Sequence, residues 1–213
     1  MSNEISGNEE PCRRPYTLGK RQIAADRRKG QILAAARQIL TSEGIAAFRV
    51  EAIARKAKVT RQTIHNMFGT RTGILEALFN DLASEGGMRE LAGAFQNRDP
   101  QIGLAAYIGT FGRFWSANRA FTRRIHGLAA VDTDLEEVLR QRNERRIHGL
   151  RVLLGRIHRQ EGSSWKWDVE VAVRVLYGLT SFEFFDALAG PEQSPEQVSP
   201  LVVQLAVAWM NSG

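Results

Sequence analysis

The sequence predicts an all-α protein, with a small N-terminal helical domain followed by a larger helical bundle. Apolar residues recur three and four positions apart along most of the chain, as they do on the buried face of a helix. No segment alternates strictly between apolar and polar residues, a pattern that would predict half-buried strands. Short clusters of Gly, Pro, Asp and Ser separate the periodic segments. Because 43% of the 213 residues are hydrophobic, these helices can bury a sizeable core.

Residues 1–24 are predicted to form a disordered, basic N-terminal arm. The arm is rich in Ser, Asn, Glu, Gly and Pro, a composition that offers little apolar surface for folding. Positive charge enters towards its end, at Arg13, Arg14, Lys20 and Arg21. Such an arm can reach into a minor groove of DNA, or it can act only as a solubilising tail, and the sequence leaves both roles open.

The first firm helix is predicted from Asp26 to Ser42. Its buried stripe has helical spacing and consists of Ile32, Leu33, Ala36, Ile39 and Leu40. Gly44 follows at once and favours the end of the helix.

Two short helices between Arg49 and Arg71 have the pattern of a helix-turn-helix. Apolar residues at helical spacing give the pair a small shared core of Val50, Ile53, Ala57, Val59, Ile64, Met67 and Phe68. Thr60 is a favourable N-cap, because its hydroxyl can accept a hydrogen bond from a free amide in the first turn of the second helix. The second helix is therefore predicted to begin at Arg61.

The outward face of this second helix has the character of a DNA-reading surface. Its side chains can all form hydrogen bonds and none is acidic, namely Arg61, Gln62, Thr63, His65 and Asn66. A helix of this width fits the major groove of DNA. The alternative is an ordinary helical hairpin whose polar face is merely solvated.

The distribution of charge favours the DNA-reading interpretation. From Pro11 to Thr72 there are fourteen Lys or Arg and three Asp or Glu, whereas Gly73 to Gly213 contains fifteen basic and seventeen acidic residues. The net charge of +6 therefore originates in the N-terminal third of the chain. A phosphate backbone attracts such a surface, while a solvated hairpin has no need to exclude carboxylates.

From Asp26 to about Ala83 the chain resembles the DNA-binding domain of the TetR (tetracycline-repressor) family of transcriptional regulators. The similarity runs through QILAAARQILTSEGIAAFRVEAIARKAKVTRQTIHNMFGTRTGILEALF. Two positions differ from the family pattern. Lys58 stands in the inter-helix turn where the family usually has Gly, so a positive φ there would strain the turn. His65 stands where the family usually has Tyr.

The resemblance implies a domain organisation and a set of DNA contacts. Residues 25–71 are expected to form the DNA-binding domain, and residues 72–213 a helical ligand-binding and dimerisation domain. The resemblance implies base-edge contacts for Arg61, Gln62 and His65. It implies phosphate contacts for Arg49, Thr60, Thr63, Asn66 and Arg71.

The remaining sequence predicts six further helices. Thr70 or Thr72 can cap the first of them, which contains Ile74, Leu75, Leu78, Phe79 and Leu82 and by resemblance connects the two domains. The others are predicted at about 100–116, 118–130, 134–160, 167–188 and 195–211.

The last two of these helices are expected to pair with a second copy of the chain. The runs VEVAVRVLYGLTSFEFFDAL and PLVVQLAVAWM are apolar on nearly every side, so each carries more apolar surface than one core would cover. They could instead lie at the centre of a monomeric bundle. The resemblance favours a two-fold symmetric homodimer through helices 167–188 and 195–211.

Candidate ligand-binding residues form two aromatic clusters and one polar pair. The aromatic candidates are Phe111, Phe114, Trp115, Phe121, Phe182 and Phe185, which could line an apolar pocket or simply belong to the core. Asn143 and Arg146 interrupt the apolar stripe of helix 134–160. They could orient a ligand, extend to water, or pair with a nearby acid.

No enzyme signature, metal site or cofactor is predicted. The sequence contains no nucleophile elbow, phosphate loop or helical zinc motif, and His126, His148 and His158 lack the close spacing of metal ligands. Neither a signal peptide nor a membrane span is recognisable, and the single Cys12 cannot form an intramolecular disulfide. These features predict a cytoplasmic protein.

Together with the resemblance, these observations predict a ligand-responsive repressor that binds a partly palindromic operator as a homodimer. A small, largely apolar effector of unknown identity is expected to release it from DNA. The alternative is a constitutive architectural DNA-binding protein, which would share the basic hairpin and need no effector.

Overall fold

The computed structural model describes residues 16–212, and within that range the chain has eleven α-helices and no strand. The helices are α1 Tyr16–Ser42, α2 Val50–Ala57, α3 Arg61–Phe68, α4 Arg71–Glu85, α5 Leu91–Gln96, α6 Pro100–Ala117, α7 Arg119–Ala129, α8 Thr133–Glu161, α9 Val169–Leu179, α10 Phe182–Ala189 and α11 Pro195–Asn211. Short 3-10 turns precede α2, α5 and α9. The predicted all-α class is confirmed.

Helix α1 begins at Tyr16, whereas the sequence pattern placed its start at Asp26. The prediction of a disordered arm is therefore wrong for residues 16–24. Its last part contains Leu, Lys, Arg, Gln and Ala, which are all good helix formers, and this local preference continues the helix outward. Residues 1–15, with Arg13 and Arg14, lie outside the described residues.

The N-terminal domain packs α1 to α4 around one apolar core. Ile32, Ile53, Ile64 and Leu75 are fully or almost fully buried in it. Thr60 caps α3 as predicted, since its hydroxyl accepts from the Thr63 amide at 3.1 Å. Lys58 ends α2 in the left-handed region with φ 55°, which confirms the expected strain at the position where a glycine would be unstrained.

This core continues past α4 into the C-terminal bundle. Phe121 and Ile125 of α7 and Leu135 and Val138 of α8 are buried in the same cluster as the residues of α1 to α4. Helix α4 therefore belongs to both parts of the molecule. Thr70 caps it by accepting from the Gly73 amide at 3.0 Å.

The predicted helix 167–188 is instead two helices, α9 and α10. The break lies at Thr180, where the Ser181 hydroxyl caps α10 by accepting from the Phe184 amide. The Thr180 carbonyl is held by two side chains from other helices, the indole of Trp115 at 3.1 Å and the guanidinium of Arg146 at 2.8 Å. Tertiary hydrogen bonds thus replace the helical hydrogen bond that a continuous helix would have made. Helix α5 was not predicted.

Candidate DNA-binding surface and ligand cavity

Helix α3 presents a polar, exposed face next to α2. Arg61, Gln62, His65 and Asn66 are exposed, and Thr63 is half-buried. Gln62 donates to the Asn66 side chain at 2.7 Å, and the His65 ring lies 2.9 Å from the Gly69 carbonyl. These contacts hold the side chains in place on the outer face of a capped helix. The face is thereby partly ordered before any partner binds.

Basic residues border this face on the α2 side. Arg49 is exposed at the start of α2, and Arg61 pairs with Glu51 at 3.0 Å. Both partners of that pair are more than half exposed, so the pair contributes little to stability and can exchange for a phosphate. A groove of about 780 Å3 lies between the two helices and is lined by Arg49, Arg61, Gln62 and His65 among others.

Arg71 has a different environment from the other implied DNA contacts. Its Nε donates to the Phe48 carbonyl at 3.1 Å, and its two terminal nitrogens donate to Asp132 at 3.1 and 2.7 Å and to Asp134 at 2.6 Å. The side chain is 25% exposed. This network, which we call the Arg71 bridge, argues against the implied phosphate contact, because the donors already bind acceptors within the chain.

Asp132 joins the Arg71 bridge to the start of α8. One of its oxygens also accepts from the Leu135 amide at 3.0 Å and so caps that helix. Burial by itself would raise the pKa of Asp132, but the hydrogen bonds from Arg71 and from the Leu135 amide outweigh burial and lower that pKa. The bridge is therefore complete above the ordinary pKa of an aspartate, and it is lost as the pH falls through the lowered value.

A cavity of about 250 Å3 lies between α4, α5, α6, α7 and α8, and we call it the aromatic cavity. Six of the predicted ligand-binding residues line it: Phe111, Phe114, Trp115, Phe121, Asn143 and Arg146. Several other lining residues were not predicted from the sequence, among them Phe79, Met88, Leu91, Phe95, Tyr107, His126 and Arg142. Three of these, Met88, Leu91 and Phe95, lie on or just before the unpredicted α5.

Phe182 and Phe185 do not line the aromatic cavity, contrary to the prediction. Phe182 packs edge-on against Trp115 and His126, with ring centroids 5.6 Å and 5.5 Å apart, behind two residues of the cavity lining. Phe185 is completely buried in the core of the C-terminal bundle. The break at Thr180 turns α10 relative to α9, so the spacing along a single helix did not predict where these rings point.

Arg146 is a buried cation at the wall of the aromatic cavity. Its side chain is held over the Tyr177 ring at 4.3 Å and donates to the Thr180 carbonyl, while its Nε has no hydrogen-bond partner among the described residues. Burial is the main cause that lowers its pKa. Among those same residues it forms no ion pair, so the alternative of pairing with a nearby acid is not observed.

Arg142, one turn earlier on α8, connects the aromatic cavity to α4. It donates to the Glu76 carbonyl at 3.1 Å and to the Asn80 side chain at 2.8 Å, and it lies over the Phe79 ring at 5.7 Å. Burial is the main cause that lowers its pKa. We call this set of contacts the Arg142 bridge. Asn143 is half-buried at the cavity, and its side chain makes no hydrogen bond to a residue that the structure describes.

Residues 16–212 contain no group of three side chains arranged to bind a metal ion. They also contain no helix with the length and apolar character needed to cross a bilayer.

The chain is similar to known regulators in both sequence and fold. Residues 32–78 match the model of the family described as bacterial regulatory proteins, tetR family. No curated protein sequence matches the chain. The fold is similar to that of the regulator FadR of Bacillus subtilis, solved in complex with stearoyl-CoA, with a TM-score of 0.68 and 18% identity over 84% of this chain and 97% of that one.

Two further solved structures have comparable similarity. A TetR-like transcriptional regulator from Rhodococcus sp. RHA1 has a TM-score of 0.61 and 20% identity, covering 87% of this chain and 97% of its own. A TetR transcription regulator from Haloarcula marismortui has a TM-score of 0.63 and 16% identity, covering 88% and 98%. Identities this low show a shared fold, and the family match adds the DNA-binding domain. The chain therefore shares the fold of these regulators, and its residues 32–78, which include the helix-turn-helix, match the tetR family model.

Proposed function

We propose that this regulator is a ligand-responsive repressor, which binds a partly palindromic operator as a homodimer and is released by a small effector. The main support for a ligand is Arg146. Its guanidinium is buried at the wall of an apolar cavity, and its Nε has no hydrogen-bond partner among the described residues. Leaving such a donor unsatisfied costs free energy, and a ligand acceptor would recover it. An architectural DNA-binding protein without an effector would have no use for this arrangement.

The effector is proposed to have an apolar chain and one acceptor group. Aromatic and aliphatic side chains surround most of the cavity, whereas Arg142, Asn143 and Arg146 concentrate hydrogen-bond donors on α8. A carboxylate or a thioester carbonyl fits that distribution of groups. The stearoyl-CoA held by the B. subtilis protein makes acyl compounds the first class to test.

The size of the cavity favours short acyl chains. At roughly 30 Å3 for each water-sized group, about 250 Å3 holds about eight non-hydrogen atoms without any rearrangement. A stearoyl chain is more than twice as long and would need the cavity to open. Octanoyl compounds are therefore the sharpest first probe.

The two arginine bridges supply a route from the cavity to the DNA-reading helix. Arg142 belongs to the cavity wall and also holds the Glu76 carbonyl of α4. An effector acceptor that takes donors from Arg142 would loosen α8 from α4. The start of α8 holds Arg71 through Asp132 and Asp134, and Arg71 holds the Phe48 carbonyl just before α2. Movement of α8 is thereby transmitted to both helices of the reader.

The free-energy change that this coupling needs is small. An effector that binds the released state about 2.7 kcal/mol more tightly than the DNA-bound state weakens the operator complex about a hundredfold. Loss of one or two hydrogen bonds to charged groups has that magnitude.

Homodimer formation is proposed through the outer faces of α9 and α11. Leu201 and Leu205 lie one turn apart on α11 and are exposed by 43% and 39%, with the exposed Ala208 continuing the stripe. Val171 and Val175 occupy the corresponding positions on α9 and are half-buried. Exposing an apolar stripe of this kind to water costs free energy. The same stripe of a second copy, related by a two-fold axis, would cover it.

Our first prediction separates base reading from phosphate contact. We propose that Arg61, Gln62 and His65 contact base edges, and that Arg49, Thr60, Thr63 and Asn66 contact phosphates. Gln62→Ala should change the site preference in a binding selection from random duplexes. The reason is that the amide of a glutamine side chain can form two hydrogen bonds to the edge of one base.

Arg49→Gln is the matched control for this selection. It should keep the preferred site, weaken all sites alike, and flatten the salt dependence of binding by about 0.9 for each protomer, as the loss of one phosphate contact per protomer requires. An unaltered preference for Gln62→Ala would contradict the assignment of roles.

The second prediction concerns the dimer. The double variant Leu201→Glu/Leu205→Glu should sediment as a monomer at micromolar concentration, because four carboxylates would face each other across the axis. Val131→Glu introduces the same charge at a residue that is 75% exposed outside the proposed interface, and it should remain a dimer. A wild-type protein that sediments as a monomer would contradict this interface.

The third prediction concerns the effector. Octanoyl-CoA and octanoate should bind the free protein more tightly than the operator complex in calorimetric titrations, by the same factor that they weaken operator binding. Arg146→Met should lower the affinity about ten- to a hundredfold, as the loss of a charge-assisted hydrogen bond implies.

Arg151→Met provides the control on the same helix. Arg151 is exposed and pairs with Glu170, so its loss should leave the affinity unchanged. Equal affinities for the free and operator-bound wild type would show that the acyl compound is not an inducer.

The fourth prediction tests the Arg71 bridge. Arg71→Met should lower the free energy of unfolding by about 1–3 kcal/mol, because it leaves two carboxylates and a carbonyl without their donor. It should also reduce the change in operator affinity caused by the effector, while the salt dependence of DNA binding stays as in the wild type.

Arg140→Met, which removes an exposed arginine that pairs within α8, is the control and should change stability by less than about 1 kcal/mol. If Arg71→Met flattened the salt dependence by about 0.9 for each protomer, Arg71 would contact a phosphate, and the role proposed for the bridge would be contradicted.

A further inference from the structure

The outer half of α1 has no packing partner within the described chain. From Arg21 to Gln31 every residue is exposed except the half-buried Ala25, and Ile32 is the first fully buried residue of the helix. Ile23 is 69% exposed. Helices gain most of their stability from packing of an apolar face, so an unpacked extension of this length is marginal in water. A partner that binds it would supply the missing stabilisation.

The charge of this extension indicates which partner it fits. Residues 16–31 contain five basic residues and one acidic residue. The acid, Asp26, accepts from Gln22 at 3.0 Å. In the structure over residues 16–212, Arg21, Arg27, Arg28 and Lys29 form no ion pair. Like charges at such close spacing repel one another in the free helix, and a polyanion would relieve that repulsion.

The extension leaves the domain beside its DNA-reading hairpin. Gln31, Ala34 and Gln38 of α1 border a shallow surface depression together with Lys56 and Lys58, which stand where α2 ends and the turn to α3 begins. Basic residues of the extension therefore continue a positive surface that starts at the hairpin. Because the two surfaces are continuous, the partner of the extension is expected to be the same nucleic acid that the hairpin binds.

We propose that the outer half of α1 is a second DNA-binding element, which binds the phosphate backbone of the duplex beside the half-site read by α3. Residues 16–30 span roughly 22 Å as a helix, at about 1.5 Å per residue. That length corresponds to about six base pairs, at about 3.4 Å each. The element adds affinity and footprint length without adding sequence preference, since phosphate contacts carry no base information.

Charge-neutralising substitutions test this element in the full-length protein. Arg27→Gln/Arg28→Gln should flatten the salt dependence of binding by about 1.8 per protomer, the value for two lost phosphate contacts. Protection in a hydroxyl-radical footprint should shrink by up to about six base pairs on each outer side. The preferred site in a binding selection should stay the same.

Arg159→Gln/Lys166→Gln is the matched control, because it removes two exposed basic residues from the C-terminal domain. It should keep the wild-type salt dependence and footprint. If Arg27→Gln/Arg28→Gln behaved like this control, the proposal would be overturned. It would equally be overturned if that variant changed only the sedimentation of the free protein, since the extension would then be a protein contact.

Gly30 allows a second test that leaves every charge in place. A Cβ at this position meets nothing within 4 Å, so Gly30→Ala only strengthens the helix between its anchored and unpacked halves. It should raise DNA affinity about two- to fivefold through preorganisation. Gly30→Pro should interrupt the helix there and shorten the footprint as the charge variant does. An unchanged footprint for Gly30→Pro would count against the proposal.

Discussion

The ion pairs of Arg71 with Asp132 and Asp134 are the contact on which the arrangement of this molecule depends. One guanidinium joins the carbonyl before α2, the start of α4 and the cap of α8. Because Asp132 both caps α8 and binds Arg71, the helix cannot shift along its axis without changing the position of Arg71. A partly buried pair of this kind adds orientation more than stability, because desolvation offsets much of the attraction between its charges.

Two groups of arginines in the described chain differ in their chemistry. Those on the N-terminal surface are solvated, and Arg49 and Arg61 keep donors available for a polyanion. On α8, Arg146 is buried and Arg142 is half-buried, and each donates to a backbone carbonyl and to no carboxylate among the described residues. A carbonyl holds a guanidinium in place without neutralising it. The charge of Arg142 and Arg146 is therefore not neutralised by a partner and can attract an acceptor group.

The sequence predicted the local features of this structure better than the long-range ones. The cap at Thr60, the positive φ of Lys58 and the bounds of α11 follow from residues next to one another in the chain, so they could be inferred before any tertiary contact was known. The break at Thr180 depends on Trp115 and Arg146, which are distant in sequence. The same is true of the partners of Arg71 and of the cavity lining contributed by α5. Composition alone also gave a wrong prediction of disorder for residues 16–24, where good helix formers extend α1 beyond its apolar stripe.

The position of Arg142 along α8 gives the helix the geometry of an unequal lever. Arg146 lies four residues to one side of it and Asp132 ten residues to the other, which are about 6 Å and 15 Å along a helix. If α8 pivots at the level of Arg142, where that side chain packs on the Phe79 ring of α4, a displacement of about 0.5 Å at Arg146 becomes roughly 1.2 Å at Asp132. Ligands that differ by a single methylene would then produce different displacements at the reader. Discrimination between effectors would thus arise from how far each one tilts the helix, even where their affinities for the cavity are similar.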